Sequence, residues 1–307
     1  FFFQAEDGIR DRSPSRGLGD VYKRQILGRA AAHRQQVPVV HTIHGAAFHF
    51  GQSRLSQAVF RQAERWAARR CQKLISVCDA MTRQYVNARI ATPEMFTTIY
   101  SGMDVEPFLD PPRSREEVRA ELGFQDDDIV VGKVARLFNL KGHRYLLEAA
   151  SQIIEKCPRA RFLLVGDGPL RDQFEARISR DGLADHFVLA GLVPPGRIPE
   201  LLHATDLVVH ASVWEGLARV LPQSMIAGKP VVSFEIDGAP EVVLHEETGL
   251  LVQPESVEGL IESVTRLASD QELRDRMGNA GCRRWTETFR YQEMARLVRE
   301  VYQDVLG

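Results

Sequence analysis

Three stretches of this sequence set charged or amide side chains beside glycine-rich turns at the ends of apolar runs. In Val134–Gly142 (VARLFNLKG) the cations Arg136 and Lys141 lie between an apolar strand pattern and a helical one. Unspent backbone N–H groups at such a junction, together with two cations, make an anion site. Cations in loops are more often simply solvated, so this stretch alone decides little. Gly166–Pro169 (GDGP) also follows a strand pattern and precedes a helix; Gly166 and Gly168 permit tight turning and close approach of a ligand to Asp167 and its neighbours. A dinucleotide fingerprint needs GxGxxG here, and it is absent, which argues against a dehydrogenase. The third stretch, His210–Val232, delivers Glu215 and Gly216 to a crevice and opens a helix near Ala218–Val220. The free amides and positive dipole end of that helix can hold a phosphate, and Gln223 falls in the first turns, eight positions after Glu215. Asp237–Val243 repeats the pattern, with Glu241 serving equally well as an N-terminal dipole partner.

Apolar runs alternate with helical spacing, as parallel α/β sheets require. In the first half, Val37–Gly45, Lys73–Cys78 and Phe96–Asp104 read as strand units, with a helix over Leu55–Ala68. A complete doubly wound domain needs five or six strands, so roughly half is missing. A proline-rich turn at Phe108–Pro112 and a helix capped by Ser114 mark a hinge. The second half reads as strands at 129–136, 161–166, 187–191, 207–212, 230–234 and 249–252. Helices start at Arg197 and near His143, Leu170 and Val220, and two helices close the chain. The expected segments are 1–25, 26–108, 109–290 and a terminal helix, 291–307, that returns to the first domain.

Residues 1–25 are expected to be non-native. Gln4–Asp11 and Ser15–Gln25 resemble in-frame translations of sequencing adapters, which puts the first natural residue at Ile26 and its true start upstream. Cys71, Cys78, Cys157 and Cys282 form no CxxC and no Cys/His cluster. That fits reduced thiols in a cytoplasm, and neither a disulfide framework nor a metal site. No apolar run approaches the ~20 residues that span a bilayer. Ile26–Phe108 carries ten Lys/Arg against five Asp/Glu, and the remainder 24 against 32. A basic first half suits peripheral contact with an anionic membrane. A solvated helix face around Arg54, Arg61, Arg65, Arg69 and Arg70 accounts for it more simply.

Taken in order, ARLxxxKG, LVGDGP, AGLVP, SxxEGxxxVxxQxMxxGKPVV and DGAPEVVxxxxTGLLV resemble the family 4 glycosyltransferases. HTIHGAAFH (His41–His49), ISVCDAM and FTTIYSGMD are similar to that family's acceptor-domain segments. The resemblance spans nearly all of Ile26–Gly307. It implies the α/β GT-B fold: two Rossmann-like, doubly wound parallel-sheet domains, the N-terminal one incomplete. It implies a retaining enzyme whose donor is a nucleotide-diphosphate sugar, with no metal, cofactor or nucleic acid involved. The acceptor would be a carbohydrate, lipid-linked or small-molecule hydroxyl. By the same likeness Arg136 and Lys141 hold the diphosphate, Glu215 binds the donor sugar, and the amides of Leu217–Val220 meet a phosphate. Gly166 and Asp167 line the donor crevice, the backbone near Val193 touches the nucleobase, and His44 stands across the cleft near the reacting carbon. The family pattern expects a second Glu where this chain has Gln223; an amide still binds ribose hydroxyls, so donor identity is affected more than activity. The family's N-terminal glycine-rich loop is not found, which implies weak activity and an aggregation-prone edge for this polypeptide. A non-catalytic sugar-nucleotide binder, an epimerase and a phosphorylase remain alternatives.

Overall fold

The structure is a computed structural model describing residues 16–48 and 52–307. Residues 1–15, with the whole of the first adapter-like stretch Gln4–Asp11, lie outside them. A helix over Arg16–Arg34 runs through Ile26, so the expected start falls within a helix.

The chain divides into two compact units: the described residues up to Tyr100 with Met294–Gly307, and Ser101–Glu293. In the first, β1 (Val40–Ile43), β2 (Lys73–Ser76) and β3 (Phe96–Thr98) form a parallel sheet in that order. Ile75 and Ile99 bury against Val301 of the helix Tyr291–Leu306. The helix Arg54–Ala68 starts at Ser53, whose hydroxyl accepts from the Ser56 amide. Three arginines on and just after it are structurally engaged: Arg65 donates to the Arg89 and Ala88 carbonyls, Arg70 to that of Trp66, and Arg61 lies over the Phe48 ring. Arg29 and Glu64 form a buried ion pair at 3.2 Å. The helix Asp79–Asn87, polar over most of its length, escaped the sequence reading.

The second unit holds β4 (Ile129–Val134), β5 (Ala160–Val165), β6 (Phe187–Gly191), β7 (Leu207–His210), β8 (Val231–Phe234) and β9 (Gly249–Val252). All pair in parallel in the order β6-β5-β4-β7-β8-β9. The chain winds outward from β4 to β6, returns to β7 beside β4, and winds outward the other way. The order therefore reverses between β4 and β7, and in such sheets ligands bind at the carboxyl ends flanking that reversal. Strand alternation separates two cores. Val131 faces the layer with the helices His143–Lys156 and Val257–Ser269, whereas Val130 and Val134 face Val118, Leu201 and Ala204. Ser114 caps the helix Arg115–Glu121 with a reciprocal capping box to Glu117.

Three helices close the chain instead of the two expected: Val257–Ser269, Gln271–Trp285 and Tyr291–Leu306. Asp270 leaves helical geometry and its carboxylate accepts from the Leu273 amide at 2.8 Å, which ends one helix and starts the next.

Candidate active site

The loops leaving β4, β5, β7 and β8 are tied to one another at the carboxyl end of the sheet. β4 ends at Val134, two residues short of Arg136, and a single helical turn (Asn139–Lys141) leads to Gly142. Gly142 has φ +64°, and a Cβ there would run into the Ala211 carbonyl beyond β7. The Val213 amide donates to the Leu140 carbonyl at 2.9 Å, closing the same junction. On the other side Gly166, at φ +135°, lies flat against the Ala135 carbonyl, and the Leu137 amide donates to the Asp167 carbonyl. Gly166 thus sets its motif in direct backbone contact with the β4 loop, and Gly142 sets that loop against the end of β7, so neither position tolerates a side chain.

This stitching brings Lys141 and Glu215 together as a hydrogen-bonded ion pair. The family resemblance implies separate partners for them, a phosphate and a sugar; in the structure each is the other's counter-charge. Glu215 accepts from the Ser212 hydroxyl at 3.4 Å, and its amide donates to the Asp237 carboxylate at 2.7 Å. The His210 Nε2 lies 3.9 Å from the Glu215 carboxylate. Burial alone would push the Glu215 carboxyl up, but His210 and Lys141 outweigh it and hold the group at about 2. Burial also holds the His210 imidazole below its ordinary value, so at neutral pH the cation facing Glu215 is Lys141.

Arg136 stands exposed on the same loop, its guanidinium 5.8 Å from the Phe138 ring centroid, and joins no ion pair among the described residues. The amides of Leu217, Ala218, Arg219 and Val220 donate no hydrogen bond within the described protein. They lead into the helix Val220–Ile226, whose first turn holds the half-buried Gln223. Val193 follows β6 and packs on the core near Val130, two strands from β4. The Asp167 carboxylate caps its own loop through the Gly168 amide and faces Arg171. Glu241 lies in the short helix Ala239–Val242. His44 belongs to the first unit, exposed in the bend after β1.

Four groups were missed by the sequence reading. Lys133, His143 and His210 are buried beneath the pair, and Asp237 anchors Glu215 through its backbone. Lys133 carried a signal, since it interrupts the apolar run of β4 at an inward-facing position; the histidines carried none. No group of three His, Cys, Asp or Glu among the described residues is placed to hold a metal ion. A polar cavity of about 230 Å³ opens at the opposite, amino end of the sheet, lined by Arg115, Asp206, Lys229 and Arg274. Its arginines are committed to the His203, Thr205, Leu267 and Ala268 carbonyls at helix ends, a structural duty.

The family profile described as glycosyl transferases group 1 matches residues 114–284, and that of glycosyltransferase family 4 matches 24–107. The chain belongs to the group 1 glycosyl transferases. Among relatives of this glycosyl transferase is the UDP-Gal:alpha-D-GlcNAc-diphosphoundecaprenol alpha-1,3-galactosyltransferase of Escherichia coli, 30% identical over 82% of this chain and 65% of that protein. The 2-deoxystreptamine glucosyltransferase of Streptomyces kanamyceticus is 28% identical over 92% of this chain and 74% of its own length. Among solved structures, Anabaena Alr3699/HepE in complex with UDP-glucose superposes with a TM-score of 0.83 at 25% identity, covering 92% of this chain and 76% of that one. The fold is GT-B, as the parallel sheets and these neighbours show. The chain thus spans about two-thirds to three-quarters of these relatives' lengths.

Proposed function

We propose that this chain transfers a glycosyl group from a nucleoside-diphosphate sugar to an acceptor hydroxyl with retention of configuration. The observation that carries the reading is the Lys141–Glu215 pair at the β4/β7 reversal, beside the unspent amides of Leu217–Val220. As the bond from the sugar's reacting carbon to the diphosphate breaks, the electron pair leaves with the phosphate oxygen. Arg136 and Lys141 oppose that growing charge, so their help is greatest in the transition state. Glu215, kept ionised, accepts hydrogen bonds from the donor sugar's hydroxyls. Gln223 binds ribose hydroxyls as donor and acceptor together.

UDP-glucose bound in the Anabaena neighbour, and the galactosyl and glucosyl transfers named for the relatives, support a UDP-hexose donor. The acceptor is a carbohydrate, lipid-linked or small-molecule hydroxyl, with a peripheral membrane encounter where it is lipid-linked. Among the described residues the first unit's sheet has three strands, half the number of the usual doubly wound scaffold, which supports low turnover with nucleotide binding kept.

The test is donor consumption and product formation from UDP-glucose and UDP-galactose, beside calorimetric binding of uridine diphosphate. Glu215→Ala lowers transfer at least 10²-fold, by analogy with losing one preorganised polar contact, while nucleotide affinity changes little. Unchanged transfer in that variant sinks the reading; nucleotide binding without any transfer by the parent chain favours a non-catalytic binder.

A further inference from the structure

Beneath the Lys141–Glu215 pair lies a buried set of nitrogen bases that the proposed chemistry does not use. Lys133, the fifth residue of β4, shares a strand face with Val131 and is 1% exposed, yet its ammonium nitrogen has no hydrogen-bond partner. His143, the first residue of its helix, has neither ring nitrogen bonded, and His210 bonds Ser233 through Nδ1 while its Nε2 has no hydrogen bond. An apolar side chain at position 133 would be far cheaper than a buried, unpaired ammonium.

The groups that face Lys133 come from each element around it: Lys141 from the turn after β4, His143 from the following helix, His210 and Glu215 from β7 and its loop. Asp237, on the loop after β8, is held by the Glu215 amide. Among them Lys141 repels a charge on Lys133 and Glu215 attracts one.

We propose that Lys133 is a positioning residue of the donor site, a buried amine that takes up a proton as the nucleoside diphosphate binds and becomes a third counter-charge beside Arg136 and Lys141. The inference rests on the donor-site reading above. Burial, and then Lys141, bring the amine down to about 7, whereas burial holds His143 near 2. Above neutral pH the free site therefore avoids crowding charges around Lys141. A bound diphosphate adds at least two negative charges on the Lys141 side, and opposite charge nearby favours the protonated amine. Uptake on binding means that affinity falls as pH rises above about 7, at most tenfold per unit for one proton.

The experiment is calorimetric titration of the whole chain with uridine diphosphate and guanosine diphosphate at pH 8, in Tris and in HEPES, whose ionisation enthalpies differ and neither of which is a phosphate. At that pH a terminal phosphate, with its second ionisation near ~6, is already fully charged. The parent chain is expected to take up more than about half a proton per bound nucleotide. Lys133→Met abolishes the uptake, weakens binding at pH 7 by about tenfold, flattens its pH dependence, and melts no lower than the parent. A purely structural lysine would do the reverse, losing stability with proton uptake unchanged. Binding without uptake in the parent, which needs no variant to fold, overturns the inference and leaves the donor site standing. Uptake that persists in Lys133→Met assigns it to a histidine and also overturns it. If neither nucleotide binds, the donor-site reading falls and this inference with it.

Discussion

An acid and an amine 74 residues apart meet in one hydrogen bond above a buried cluster, and that pair sets the electrostatics of the site. Because Glu215 sits at about 2 instead of 4.5, it stabilises the folded chain above its ordinary value, and that contribution disappears as pH falls through about 2. Melting curves of the parent and Glu215→Gln should therefore differ at pH 6, with the parent higher, and converge toward pH 2. A constant difference across that range would mean that the carboxylate's charge contributes nothing. Replacing Lys141 by Met leaves the Glu215 charge with a neutral His210 as its neighbour. Transfer should fall on the order of 10²-fold or more through loss of the diphosphate's cation, as read in steady-state rates with UDP-glucose.

Between residues and sheet, the glycine turns decide whether those side chains meet at all. Gly142 and Gly123 both lie in the left-handed region, at φ +64° and +77°, but only Gly142 abuts backbone, the Ala211 carbonyl. Alanine at Gly123 costs about 1 kcal/mol of left-handed strain. At Gly142 the same strain is joined by a clash that must separate the β4 and β7 loops, a loss of about 3 kcal/mol or more. Thermal melts that rank the two variants equally would contradict the close approach. Gly142→Ala should also weaken nucleotide binding, since Lys141 is its immediate neighbour, whereas Gly123→Ala should not.

At the scale of the molecule, each unit has its own core. Val301 is 5% exposed among Ile75, Ile99, Leu297 and Val298 in the first unit, whereas the residues assigned to the donor belong to the second. Val301→Asp buries an unpaired carboxylate and should cost several kcal/mol, about 3 or more. Limited proteolysis should then cut the first unit early, while Ser101–Glu293 stays resistant and still binds uridine diphosphate. Equal loss of both units would show that their stabilities are inseparable. Among the described residues, no helix is long and apolar enough to cross a membrane.

Local chemistry was legible residue by residue. Ser114 three positions before Glu117 announces its capping box, and β-branched runs such as Ile129–Val131 announce strands, because these effects act within a few residues. The motif order around Arg136, Lys141 and Glu215 likewise sufficed for family and fold. What only the folded chain decided is which groups share space. The Lys141–Glu215 bond, the Asp237 anchor and the bases under them join β4, β7 and β8, and sequence separation carries no information about parallel strand neighbours until the crossovers set their order. Lys133 shows the difference most sharply: its position inside an apolar strand was visible at once, but its meaning depends on the charges that the tertiary fold stacks above it.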